Sequence, residues 1–166
     1  MNIKHITLSA LLIAVLVGWQ ALSRSILPGT TLVTGAGVNF ILIIATTVGS
    51  LQVGLSVAAV SPIMAQLLGI APPFWVLVPI LAAANIMLVL TWHMFSHKKL
   101  LAVIFAPVAK YAIVYAGVEF IAINLMGTVF PPLVLAAFGI RQLFTALIGG
   151  GLAFITIPVL NKALKR

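Results

Sequence analysis

The sequence predicts an all-α integral membrane protein, a bundle of six transmembrane helices with both termini in the cytoplasm. Three observations carry that expectation. Of 166 residues, 63% are hydrophobic and only 6% charged, whereas soluble domains carry about 25% charged residues. The mean hydropathy is +1.31, so lipid rather than water is the fitting solvent. Apolar runs of about 20 residues, the length that crosses a bilayer, recur six times with short breaks between them. Together they consume nearly the whole chain, and residues 1–166 read as a single membrane domain with no soluble domain of its own.

The first span is expected at about residues 6–26. Its apolar run after Lys4 is longer than the core of a secretory signal, and more spans follow, so it reads as a retained helix. Pro28-Gly29 breaks the chain and a Gly/Thr-rich stretch leads into the second span, about 33–48. The link Gly49-Ser50-Leu51-Gln52 is uncharged and tight. The third span, about 53–70, carries Pro62, whose missing N–H predicts a kink. Ala71-Pro72-Pro73 ends it, and the fourth covers about 74–95. Ser96-His97-Lys98-Lys99 is the clearest aqueous loop. The fifth covers about 100–125; Gly127 to Pro132 forms a loop, and Leu133 to Phe138 a short re-entrant or surface piece. The sixth covers about 140–160, followed by a basic tail to Arg166.

The net charge of +8 would suggest a nucleic-acid partner in a soluble chain. Here the basic residues stand mostly at span ends, so topology explains them and no nucleic acid is expected. With the N-terminus inside, Lys4, Lys98, Lys99, Lys162, Lys165 and Arg166 fall on the inner side, against Arg24 and Arg141 outside. That asymmetry obeys the positive-inside rule. The longer Gly/Pro-rich loops then face outward, which suggests capture of a solute from outside.

Ionisable groups at membrane depth are costly and point to function. Lys110 lies well inside the fifth span. Lys110, Gly117 and Asn124 recur at heptad spacing on one helix face, and Tyr111, Tyr115 and Glu119 at four-residue spacing on an adjacent one. Lys110 is read as ligand-facing or gating; its alternative partners are Glu119, on nearly the opposite side, or helix carbonyls. Asn39, which shares a face with Thr46, and Asn85 are mid-span amides that either touch a ligand or bond another helix. Arg141 and Gln142 at the outer end of the sixth span either anchor at the interface or contact ligand. Trp75 and Trp92 suit the aromatic belt, and Trp75 also suits stacking on a ligand. His93 and His97 have helical spacing but no third ligand, so no metal site is expected. Ala10 and Ala14 form a small-xxx-small face for close helix approach, and Gly149-Gly150-Gly151 opens the sixth helix similarly.

The chemistry excludes more than it includes. Glu119 is the only side-chain carboxylate and cysteine is absent. Paired-carboxylate catalysis, a catalytic triad and carboxylate or thiolate metal sites all lack members. No phosphate-binding glycine loop with its lysine is present, so ATP hydrolysis is not expected. An enzyme, or a chain holding a cofactor, is therefore not expected. A binder remains, with a polar pocket near the outer face and no means of converting energy itself. The alternative is a self-contained ion-coupled carrier or channel using Glu119; a third reading is a scaffold that binds no small molecule.

At this point the chain resembles the substrate-binding S components of energy-coupling factor (ECF) vitamin transporters. The resemblance covers essentially its full length. It rests on size, six spans, cytoplasmic termini and Ala10-Leu11-Leu12-Ile13-Ala14, similar to the family's alanine-x-x-x-alanine element. Gly35-Ala36-Gly37-Val38-Asn39, Ser61-Pro62 and Ala84-Asn85 add to it. The resemblance implies a multi-pass protein of the bacterial plasma membrane that topples to deliver its cargo. A transmembrane coupling subunit would dock on Ala10 and Ala14, and two ATPase subunits would supply the energy. The vitamin would bind among segments 24–37, 71–75 and 127–140. Lys110, Asn85, Asn39, Arg141, Gln142, Tyr115, Trp75 and Asn124 are the candidate substrate contacts. The cationic excess near that pocket favours pantothenate; hydroxymethylpyrimidine or pyridoxine, or a cobalamin precursor, are alternatives.

Overall fold

The computed structural model describes residues 3–26 and 31–163, and every regular element among them is helical. The Pro28-Gly29 break and the tail residues Lys165 and Arg166 lie outside the described residues. The elements are α1 (Ile3–Ile26), α2 (Thr31–Ile44), α3 (Leu51–Leu67), α4 (Leu77–Met94), α5 (Lys99–Ala116), α6 (Pro132–Phe138) and α7 (Arg141–Ala163). Two of them run on in wider, π-helical turns: α2 through Ala45–Gly49 and α5 through Gly117–Leu125.

Five of these stretches are long and apolar enough to cross a membrane, and α3, with 17 residues, is a shorter apolar helix. Their outward positions are apolar too: Leu11, Ile104, Ile148 and Ile155 are all exposed. Helices apolar on every face need a partner or a lipid on each side. The expected bounds agree with the helices to within a few residues. The third ends earlier than 70 because Gly69, at φ 66°, turns the chain out of the helix. Ile70 N–H reaches back to the Ala65 carbonyl at 2.9 Å and Gly69 N–H to that of Gln66 at 3.1 Å, a glycine-closed helix end. Pro72 and Pro73 then delay the start of α4 to Leu77.

The long helices close into a ring in the order α1, α3, α4, α5, α7, α2, and α2 also touches α4 across the middle. Consecutive helices run antiparallel, so the ring has two unlike ends. The starts of α1, α3 and α5 gather at a basic end, where His5 Nδ1 lies 3.3 Å from Gln52 Oε1. The opposite, loop end gathers the segments after α1, α3 and α5, together with α6.

The interior divides the same way. Toward the basic end, Leu16, Leu42, Ile43, Val53, Val57 and Leu88 are completely buried in one cluster. Trp92 belongs to it at 3% exposure, its Nε1–H donating to Thr47 Oγ1 at 3.1 Å. It therefore ties α4 to the π-turn after α2 and is not the interfacial belt residue its sequence position suggested. A second cluster (Ile80, Val114, Val118, Phe130, Phe138) packs α4, α5 and α6 at one side of the loop end.

Close approach of α7 to α2 depends on Gly149. A Cβ there would lie 2.6 Å from the Ala36 carbonyl oxygen and 2.7 Å from Asn39 Cβ. Gly151, by contrast, faces open space. Gly149→Val should therefore lower stability by about 1–3 kcal/mol through overpacking, while Gly151→Ala should be neutral or stabilising by up to about 1 kcal/mol. Thermal unfolding in detergent reads the difference; equal midpoints for both variants would refute the α2–α7 contact.

Candidate functional site

The loop end is not filled by side chains. A cavity of about 530 Å³ enters the ring there, walled by α1, α2, α3, α4, α6 and α7 and by the segment Ile70–Pro73. Its volume falls in the range of about 300–1,000 Å³ usual for small-molecule sites.

Lys110 forms the floor. It is 3% exposed and lines the cavity. Eleven positions into α5, at about 1.5 Å of rise each, it stands near the middle of the bundle. Its Nζ donates to Asn39 Oδ1 on α2 at 2.6 Å and to Asn85 Oδ1 on α4 at 2.8 Å. These two bonds fix the amide orientations, because an ammonium only donates. Asn39 Nδ2 in turn donates to Thr145 Oγ1 on α7 at 3.4 Å, and the Thr145 hydroxyl donates to the Gln142 carbonyl at 3.0 Å. A cation on α5 thus polarises a chain of bonds reaching α4, α2 and α7. Both of its partners are neutral oxygens. A hydrogen bond to a charged group contributes about 1.5–3 kcal/mol, against a burial cost of several kcal/mol per ion. The two bonds offset the desolvation without supplying an opposite charge.

Arg24 works at the rim. Its guanidinium, from the last turn of α1, donates to the Gly69 carbonyl at 2.9 Å and to the Ile70 carbonyl. The glycine-closed end of α3 turns those two carbonyls outward, and Arg24 binds them, strapping α1 to the segment that borders the cavity. Arg141 lines the rim from α7, and Gln142 Nε2 donates to the Ala137 carbonyl of α6 at 3.2 Å.

Of the eight expected contacts, Lys110, Asn85, Asn39, Arg141 and Gln142 converge on this cavity. Tyr115, Trp75 and Asn124 do not line it. Asn124 is exposed and bonds the Glu119 backbone carbonyl at 2.7 Å. The wide turns of Gly117–Leu125 hold more residues than an α turn, so heptad register with Lys110 is lost beyond Gly117. Tyr115 is exposed and packs on Tyr111, with ring centroids 6.0 Å apart. Trp75 points outward at 59% exposure while its neighbour Phe74 turns inward onto Phe130, centroids 5.0 Å apart. Glu119 does not line the cavity either.

Polar wall residues not singled out from sequence as contacts include Gln20, Ser61, Gln66 and Thr145. Ser61 Oγ and Gln20 Oε1 are buried with no hydrogen-bond partner. Their one signal was position, polar groups in the outer half of their spans. Among the described residues no group of three histidine or carboxylate side chains is arranged to hold a metal. Ala10 and Ala14 lie elsewhere, exposed on α1, and Gly18 extends their stripe by one turn.

No protein-family model matches the chain, no curated protein is significantly similar to it, and no solved structure matches it. Its function is therefore argued from the cavity.

Removing the strap should loosen the rim. In Arg24→Met, backbone amides of Ile70 and Ala71 should exchange hydrogen about tenfold faster, a change of about 1.4 kcal/mol in local opening. Exchange mass spectrometry reads this directly. Unchanged protection would show that the α3 cap holds the segment without Arg24.

Proposed function

We propose that this chain is a membrane-embedded solute-binding subunit, an S component of an ECF-type vitamin transporter. It crosses the bacterial plasma membrane six times with both termini cytoplasmic. It takes a small water-soluble vitamin or precursor into the loop-end cavity from outside. A separate module of one transmembrane coupling subunit and two ATPase subunits supplies the energy.

The observation that carries this reading is a vitamin-sized cavity that opens at one end of the bundle and ends on a buried, hydrogen-bonded cation. Such a site recognises a polar solute by a few placed groups within an apolar wall. The distribution of charge supports the orientation: Lys4, Lys98, Lys99 and Lys162 fall at the basic end and Arg24 and Arg141 at the loop end. The exposed Ala10, Ala14 and Gly18 stripe supports a helix partner on α1, because small residues let backbones approach closely. A self-contained carrier driven through Glu119 is less well supported, since that carboxylate is away from the cavity wall.

The tagged chain, extracted gently from its native membrane, should bring down an ATPase pair and a long-helix membrane subunit. Ala14→Leu, which fills the stripe without touching the cavity, should reduce that recovery about tenfold and leave solute binding unchanged. Solute accumulation by vesicles holding this chain alone, driven by an ion gradient and lost in Glu119→Gln, would overturn the proposal in favour of the carrier.

A further inference from the structure

The cavity's own donors and acceptors narrow what it accepts. Lys110 has three N–H donors, and two are committed to Asn39 and Asn85. Each of those amides turns its carbonyl oxygen toward the ammonium, so the negative ends of their dipoles are already engaged there, and Asn39 Nδ2 is engaged by Thr145. The floor is therefore positively charged, with one ammonium N–H left to donate. The one side-chain carboxylate of the chain, Glu119, sits nine positions further along the same helix and outside the cavity wall. Nothing among the described residues neutralises Lys110, and a buried charge is costly until an opposite one meets it.

The walls differ. Gln20 Oε1, nearer the loop end, and Ser61 Oγ, ten positions into α3 and so at about the depth of Lys110, are buried without partners, and Ser61 is only 1% exposed. A carbonyl oxygen accepts hydrogen bonds and does not donate them, so Gln20 calls for an O–H or N–H on whatever lies beside it. Between floor and rim the wall is apolar, with Leu77, Val78, Leu81 and Val134.

We propose that the solute is a small carboxylate that also carries a hydroxyl or amide N–H, with its carboxylate seated on Lys110 and its donor directed to Gln20 and Ser61. This rests on the solute-binding reading above and narrows it to one chemical class. A carboxylate supplies the single negative charge that the floor lacks. A cationic solute would meet a like charge there, with Arg141 adding a second at the rim.

The test uses matched probes on the purified full-length chain: butyrate against butyramide for the floor, and 4-hydroxybutyrate against butyrate for the wall. Isothermal titration and the shift in melting temperature give the affinities. Butyrate should bind about ten- to hundredfold tighter than butyramide, the range of a charge-assisted hydrogen bond. 4-Hydroxybutyrate should bind tighter than butyrate, and Gln20→Leu should remove that gain. In Asn85→Asp a carboxylate of the chain's own stands beside the ammonium, so the preference for butyrate should vanish. Lys110→Met should erase it as well, which covers the case of one variant failing to fold. Equal binding of acid and amide, no response to any of the acids, or a preference that survives either substitution would overturn the proposal. The two readings fail separately. A neutral solute retained by the purified chain, with the ATPase partners still recovered, would leave the transporter subunit standing and remove the carboxylate. Acid selectivity with no partner recovered would do the reverse.

Discussion

Much of this bundle is organised around one ammonium group. Lys110 is almost wholly buried at the bottom of the cavity, and its position is tolerable because Asn39 and Asn85 turn their carbonyl oxygens toward it at 2.6 and 2.8 Å. Those three side chains come from three different helices, so satisfying the charge also sets the spacing of α2, α4 and α5. This group bonds both α2 and α4, the two helices that touch across the ring. Below it the interior is packed with aliphatic side chains; above it the helices part. The cation is both the pin that holds the helices and the floor of the space they leave.

Such a pin is useful where apolar burial discriminates poorly. For helices that are apolar all round, surrounded by lipid, exclusion from water does not favour one neighbour over another, and close packing and polar contacts decide. Both are visible here. Gly149 lets α7 rest against the backbone of α2 beside Asn39. The bonds from Asn39 to Thr145, from Trp92 to Thr47 and from Arg24 to the end of α3 join helices distant in sequence. Each is a place where a polar group found its partner across the bundle instead of in solvent.

The helices were legible in the sequence because their signal is composition, which tertiary context hardly alters; they fall clearly short of the expected bounds only where Gly69 and the two prolines impose a specific turn. The floor of the cavity was legible for a different reason. A lysine and two amides at mid-depth are expensive to bury, so each announces itself in an apolar run. The reading that offered either ligand contact or helix-to-helix bonding posed a false choice, since these residues do the second and line the cavity as well. Trp75, Tyr115 and Asn124 were misplaced by assumptions of regularity. The π-helical widening after Ala116 breaks the heptad count, and at the mouth of α4 it is Phe74 that faces inward. Ser61, Gln20 and Thr145 went unremarked as contacts because small hydroxyls and a single amide are cheap to place in a helix, where a backbone carbonyl one turn back or a neighbouring helix often serves them.

The tight aliphatic packing between Lys110 and the basic end has a further consequence. The cavity is a cup and not a tunnel. A molecule that enters leaves by the way it came unless Leu16, Leu42, Val53, Val57 and Leu88 are pulled apart. Entry and exit then share one mouth, so occupancy follows the concentration on that side alone.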